Sequence, residues 1–360
     1  MFVQTFQRMY NGRMNKTERQ NYIVQLIGRS DGQQKVATRE LAEYFGVSEM
    51  TVRRDLKALS HDGLLRRQHG GATLIRQPPA LVRKEIGIIL VSRTGKYSDP
   101  FFNAILEGAD RKLQELGYRI ACINTQTEIN TAEQACKLLQ SYPVDGIILV
   151  GFVGANSVEY LRANVRAIIQ TTEPITPDLD TVCFDGYRGM QQMVSHLVGR
   201  GYRRLGFITG GYDLRQQGFL DAIRAHDLPA DDNLCVTVPY GLDGWTPDLG
   251  HVGAEKLMAL AEPPDAIVCA SDRIAIGAIQ WLHQHNFHVP GDVAVTGFDN
   301  IAESAFTAPS LTTVHVHKQL IGELAAERAV KRIENEDEIP LFIQTPTSLV
   351  IRQSCGSESA

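Results

Sequence analysis

The sequence predicts an α/β chain: a small winged helix-turn-helix at the N-terminal end, then a two-lobed, doubly wound domain. Three observations carry that expectation. Residues 48–72, SEMTVRRDLKALSHDGLLRRQHGGA, keep apolar residues at helical spacing and then change to a short basic hairpin. From Ile86 onward short apolar runs alternate with helix-period stretches, and from Met190 the same rhythm restarts. Residues 1–85 hold 15 Lys and Arg against 8 Asp and Glu, whereas the rest of the 360-residue chain holds 21 against 33. A basic head on an acidic body is the asymmetry expected when only one end meets phosphate.

Composition sets the outer bounds. With 43% hydrophobic and 21% charged residues, the chain has an ordinary globular make-up and room for two or three domains. Its net charge of −5 argues against a nucleic-acid binder until the uneven distribution is considered. Six cysteines are scattered without a CxxC pair, most of them in apolar stretches where a free thiol behaves as a small core residue. The chain shows no charged segment leading into an apolar export signal and no apolar run of about 18 residues, so a cytoplasmic, reduced protein away from membranes is expected. No cofactor and no metal site is expected.

Residues 1–13 lack periodicity and read as a disordered tail, and Met14 opens a more typical start. A domain over 14–73 follows. Tyr22, Ile23, Leu26 and Ile27 form the stripe of a first helix from Thr17. After a turn at Gly32–Lys35, Thr38 is the expected N-cap of a second helix with Leu41, Ala42 and Phe45 inward. Gly46-Val47 makes a tight connection, and Ser48 caps a third helix whose buried face is Val52, Leu56 and Leu59. Asp62-Gly63 stops it, and Leu64–His69 reads as a strand turned at Gly70-Gly71. One apolar face and one arginine-rich face, followed by a basic hairpin, suit a helix inserted in a DNA major groove with a wing beside it.

The segment resembles the winged helix-turn-helix of the deoxyribonucleotide-operon repressor (DeoR) type. Leu41-Ala42-Glu43, Phe45-Gly46-Val47-Ser48, Thr51-Val52-Arg53-Arg54-Asp55-Leu56, Gly63-Leu64-Leu65-Arg66-Arg67 and His69-Gly70-Gly71-Ala72 carry the likeness. It implies double-stranded operator DNA as partner, with Thr51, Arg53 and Arg54 at bases or phosphates. Thr38, Ser48, Glu49, Lys57, Arg66, Arg67 and His69 complete the candidate DNA contacts. Asp55 is expected to pair with a neighbouring arginine rather than face phosphate.

Residues 74–85 form a linker, which Pro78-Pro79 stiffens as extended backbone. The body, 86–360, opens with the continuous apolar run Ile86–Val91, a strand buried on both faces. Helices are expected over Pro100–Leu116, Thr131–Leu139 and Asn156–Ala163, alternating with strands over Tyr118–Asn124, Gly146–Val150, Ala167–Thr171 and Thr181–Phe184. In the second lobe, helices Met190–Val198, Arg215–His226, Asp248–Leu260 and Arg273–His285 alternate with strands Arg204–Thr209, Cys235–Pro239, Ala266–Ala270 and Val293–Phe298. Strands Thr312–Val316 and Leu349–Arg352 flank a last helix near Ile321–Ile333. Two α/β units joined by several crossings bind ligands in the cleft between them.

This body resembles the type I periplasmic-binding-protein-like sensor of the lactose/galactose repressor (LacI/GalR) family. The matching stretches are Pro100-Phe101-Phe102 with Glu107-Gly108, Val144-Asp145-Gly146-Ile147, Asp185-Gly186 with Gly189, Gly201–Phe207, Arg215 with Gly218-Phe219, Ala270-Ser271-Asp272, Ala275-Ile276-Gly277, Gly297-Phe298-Asp299-Asn300 and Leu311–Val314. The resemblance implies a small polar effector such as a sugar, held by Asp185, Arg215 and Asp299. A carboxylate accepts two hydroxyl hydrogen bonds, and an arginine offers a planar fork of donors. It also implies aromatic contacts from Trp245, Phe101 and Phe102, and a weaker polar one from Ser271. The loop setting of Trp245, between Asp243-Gly244 and Thr246-Pro247, favours a ligand platform over a core role; of the adjacent Phe101 and Phe102 only one points easily into a cleft.

The expected function is therefore a ligand-responsive transcriptional regulator, a repressor of carbohydrate-metabolism genes acting as a homodimer or higher oligomer, and not an enzyme. The alternative is a sugar-binding protein or sugar-modifying enzyme using the same cleft; the first requires export and the second catalytic groups, and neither signal is found in the sequence. His283, His285 and His288 fit no metal-ligand spacing well and read as surface residues, and Thr209-Gly210-Gly211 lacks the companion glycines of a phosphate loop. The lactose-repressor type ordinarily carries its own helix-turn-helix and a hinge helix, so the coupling of this head to this body is not carried over from either family.

Overall fold

The computed structural model describes residues 14–29, 36–62, 64–68, 71–74, 82–91, 95–151, 155–172, 177–211, 213–239, 244–335 and 339–356. Pro78-Pro79, the Gly32–Lys35 turn, Gly63 and His69 lie outside them, as does the side chain of Arg67.

The head is built from α1 (Lys16–Arg29), β1 (Val36–Ala37), α2 (Thr38–Phe45), α3 (Glu49–His61), β2 (Leu65–Gln68) and β3 (Gly71–Leu74). Gly46 takes a φ of 63°, the left-handed geometry that ends α2 and lets α3 begin three residues later. Ser48 then caps α3, its hydroxyl accepting the Thr51 amide at 3.2 Å. Thr38 does not cap α2: Ala37 holds that position, and its N–H donates to the Glu40 carboxylate at 3.3 Å. Glu40 reaching back closes the helix from three residues inside, so Thr38 becomes the first helical residue and is buried. Val52, Leu56 and Leu59 are buried with Ile23, Val24, Ile27, Leu41, Leu64 and Leu65. The strands form an antiparallel sheet in the order β1-β3-β2, the wing beside α3.

Asp55 is 2% exposed on α3, and its partner is not on its own helix. Arg19 of α1 donates Nε to it at 2.6 Å, and Gln20 adds a bond at 3.1 Å. This buried pair ties the first helix of the head to the third.

The body continues with β4 (Glu85–Leu90), α4 (Pro100–Glu115), β5 (Arg119–Thr125), α5 (Ala132–Ser141), β6 (Gly146–Val150), α6 (Ala155–Asn164), β7 (Ala167–Thr171) and β8 (Asp180–Phe184). Next come α7 (Gly186–Gly199), β9 (Leu205–Thr209), α8 (Leu214–Ala225), β10 (Cys235–Thr237), α9 (Pro247–Met258), β11 (Ala266–Cys269), α10 (Asp272–Gln284) and β12 (Ala294–Thr296). The chain ends with β13 (Thr313–Val316), α11 (Lys318–Glu334), β14 (Phe342–Thr345) and β15 (Thr347–Val350). Two compact units result. One takes in the chain to residue 91, 112–181 and 325–341; the other takes in 92–111, 182–324 and the chain from 342.

The first unit contains the head and a sheet with the parallel pairs β4–β5, β4–β6 and β6–β7. All five residues of β6 and of β7 are buried, which explains the apolar run of β6 and the Ala167-Ile168-Ile169 start of β7, whose buried Gln170 bonds Thr181. Head and lobe share one apolar cluster, with Ile23, Val24 and Ile27 of α1 and Cys136, Val158, Tyr160 and Leu161 of the lobe among its members. Asp62, at the end of α3, accepts a bond from the Cys136 thiol through its carbonyl at 3.7 Å.

The second unit has a parallel sheet ordered β10-β9-β11-β12 and an antiparallel β13–β15 ribbon. Two differences from the sequence expectation stand out. Helix α7 starts at Gly186 rather than Met190, because Asp185 caps it by accepting the Arg188 amide at 2.9 Å while the apolar period starts a turn later. Strand β14 is unforeseen because its burial does not follow an apolar pattern; Phe342 is exposed and Thr345 buried.

Candidate functional site

On the head, α3 presents Glu49, Met50, Arg53, Arg54 and Lys57 to solvent, with Arg66 exposed on the wing strand β2. Arg53 is held loosely by Glu49 one turn earlier, at 3.2 Å between exposed groups. Ser48 and Thr51 are joined by a hydroxyl–hydroxyl contact of 3.0 Å at the start of the helix. Of the candidate contacts, Thr38 alone among the described side chains is buried. Met50 is 60% exposed on this surface and was not singled out by the sequence, which flags arginines more readily than a lone apolar residue.

In the second unit a polar and aromatic cluster forms around Arg215 at the start of α8. Asp213, the N-cap, accepts the Arg215 and Gln216 amides and the Arg215 Nε at 2.8 Å, so the guanidinium is fixed by the residue that starts its own helix. Arg215 also donates to the Ala270 carbonyl at 2.9 Å. The Trp245 ring centroid lies 4.4 Å from Arg215 Cζ, with Phe298 at 5.6 Å and Phe184 at 5.8 Å, a stacked cation–π arrangement. Gly210 makes room for that indole: a Cβ there would fall 2.2 Å from Trp245 Nε1.

Asp299 sits 4.0 Å from Arg215 and is 6% exposed. Among the described residues its Oδ1 has no hydrogen-bond partner. Burial pushes its carboxyl well above the ordinary carboxylate range, against the pull of Arg215 and Lys318. Phe101 is buried and meets Phe184 edge-on at 6.0 Å, while Phe102 is half-buried beside it. Phe101 also donates its amide to Asp99, which pairs with Arg273 at 3.2 Å. Asp185 and Ser271 are each engaged as helix caps, Ser271 accepting the Ile274 amide at 3.3 Å. An open groove of about 720 Å³ elsewhere in this unit, lined by Arg188, Gln191, Ser195, His196 and Thr347 among others, includes none of these residues.

The family described as a DeoR-like helix-turn-helix domain matches residues 19–78, and the one described as a periplasmic binding protein-like domain matches residues 194–355. This chain joins a DeoR-like helix-turn-helix head to a periplasmic binding protein-like body and is a ligand-responsive transcriptional regulator. The regulator is 28% identical over 347 residues to the arabinose metabolism transcriptional repressor of Geobacillus stearothermophilus, covering 91% of this chain and 93% of that one. It is 25% identical over 335 residues to the HTH-type transcriptional repressor PurR of Mannheimia succiniciproducens, covering 88% and 97%. Among solved structures, a LacI transcriptional regulator from Bacillus cereus subsp. cytotoxis is similar at 25% identity, with a TM-score of 0.68 over 76% of this chain and 99% of that one. The transcriptional regulator CelR–cellobiose complex shares the fold at 24% identity, with a TM-score of 0.69 over 86% of this chain and 91% of that one.

The sequence missed Asp213, Phe184, Phe298, Asp99 and Arg273. Asp213 had a local signal, an aspartate two residues before Arg215 at a helix start. The others arrive from separate segments and had none. Among the described residues of the regulator no group of three metal-capable side chains forms; His285 stacks on Trp281 at 4.0 Å, and His288 bonds Asp292. Nor is any helix among them long and apolar enough to cross a membrane.

Beneath the cluster Asp272 is fully buried, accepting the Thr313 hydroxyl and the Ile301 amide. Burial pushes its carboxyl up to about 7 despite those bonds. The folded regulator therefore keeps this proton where the unfolded chain has released it, and the group makes the fold less stable as pH rises from about 4 toward neutrality. Asp272→Asn protein is expected to lose less stability than the unmodified protein across that interval in thermal melts; parallel curves would refute the assignment.

Proposed function

We propose that the regulator is a repressor of carbohydrate-metabolism genes whose operator affinity changes when a sugar or related polar metabolite binds its sensor body. The head reads operator DNA through Thr51, Arg53, Arg54 and Lys57, with Ser48, Glu49, Arg66, Arg67 and His69 at its margins. A homodimer would set two such heads on two half-sites. The effector is held by Asp299 and Arg215 with Trp245 as aromatic platform, and Phe101, Phe102, Asp185 and Ser271 complete its surroundings.

One observation carries the effector reading. Asp299 keeps a buried carboxylate oxygen without a hydrogen-bond partner among the described residues, beside an arginine stacked on a tryptophan. An unsatisfied buried acceptor costs free energy that a sugar hydroxyl would recover. Relatives named for arabinose and ribose metabolism support the choice of ligand class. Titration calorimetry with arabinose, ribose and cellobiose tests it. At least one sugar should bind, and Asp299→Ala should weaken it by about tenfold to a hundredfold, as expected when a buried hydroxyl loses its hydrogen-bond partner. Undiminished binding to the Asp299→Ala protein would sink the site.

A further inference from the structure

Asp299 and Asn300 are consecutive non-glycine residues with φ of 111° and 52°. Side-chain-bearing residues avoid that region, so the surrounding structure has to hold both there. Their amides are engaged: Asp299 donates to the Val314 carbonyl at 2.8 Å and Asn300 to the Thr313 hydroxyl at 3.3 Å. Asn300 is also tied through its side chain, to His315 at 3.0 Å and to Arg352 at 2.8 Å.

The two carbonyls turned over by this reversal meet one group. Lys318 Nζ donates to Asp299 O, to Asn300 O at 3.1 Å and to Val316 O at 3.3 Å. An ammonium has three donors, and all three are used on backbone oxygens. Lys318 is 6% exposed and is the first residue of α11, where a cation opposes the helix dipole. Neither its burial nor its place on the helix favours a lysine, and burial pulls its pKa down against the nearby Asp299 and Asp272 carboxyls; the carbonyl cage takes up all three of its donors.

We propose that Lys318 is a positioning residue: by gripping the Asp299 and Asn300 carbonyls it holds the left-handed turn that presents the Asp299 carboxylate to the effector. This rests on the effector reading of Asp299. The sequence gives no hint of it, because the contact depends on where α11 begins beneath the turn.

Full-length Lys318→Met, of similar length but without donors, tests the assignment by two readouts. In its crystal structure residues 299 and 300 should leave the left-handed region. By calorimetry the sugar bound by the unmodified protein should bind at least about tenfold more weakly, since a pre-organised acceptor is lost, while operator binding without sugar is retained. An unmoved turn, or lowered thermal stability with unchanged sugar affinity, overturns the proposal. If Lys318→Met does not fold, Lys318→Gln decides by the same readouts. Should the unmodified protein bind none of the sugars, the effector reading fails, and the geometry of residues 299 and 300 in the variant still decides what Lys318 holds.

Discussion

Alanine at both Arg53 and Arg54 is expected to weaken operator binding by about a hundredfold or more, since each bidentate base contact is worth roughly 1–3 kcal/mol. Both side chains are exposed on α3, and among the described residues Arg53 is held by an exposed pair with Glu49, of a kind worth about 0.3–0.5 kcal/mol. DNA can therefore draw Arg53 away from Glu49 at little cost. Because neither side chain is buried, the melting curve should be unchanged. Fluorescence anisotropy with an operator fragment at several salt concentrations separates the roles. A flatter salt dependence marks lost phosphate contacts, whereas affinity lost equally at all salts marks base contacts. Unchanged affinity would remove α3 as the reading helix.

Asp55→Ala should destabilise the head by about 3–5 kcal/mol, the cost of leaving a buried charge without its partner. Arg19 is 8% exposed and its Nε is directed to Asp55 at 2.6 Å, so its guanidinium would be left among the apolar residues joining α1 to α3. Urea unfolding followed by circular dichroism should show an earlier loss of head structure. Operator binding should fall with it while sugar binding persists, because the proposed effector residues lie in the other compact unit. A mutant with normal unfolding and normal operator binding would show that the pair contributes nothing.

Much of the head was legible in residues close together in sequence. Ser48 as cap, the Val52, Leu56 and Leu59 stripe and the Gly46 turn are local features, set by hydrogen bonds and steric limits within a few residues. Thr38 failed as a cap because Glu40 competes for the same helix end, and two adjacent signals cannot be ranked by residue type alone. In the body, the βαβ rhythm survived because strands buried on both faces are mostly apolar. Strand β14 has a pairing position but no such burial, so no pattern announced it.

The effector cluster divides in the same way. Arg215, Trp245 and Asp299 were proposed from the resemblance carried by short motifs, and the structure brings them within one constellation. Asp185 and Ser271 were proposed with them, but each is engaged as a helix cap, a use that depends on where a helix starts.

By itself, then, the sequence determined the order of elements, the basic head, the capped helix with its exposed arginines and the residue types suited to a polar ligand, because periodicity, caps and charge are written along the chain. The tertiary structure alone decided that Asp55 meets Arg19, that Arg215 is clamped by Asp213 under Trp245, and that Lys318 grips the turn at Asp299. These are matters of burial and of meetings between segments, and most of those segments lie far apart in sequence. Which buried charge finds a partner, and which oxygen is left without one, is settled only when they pack.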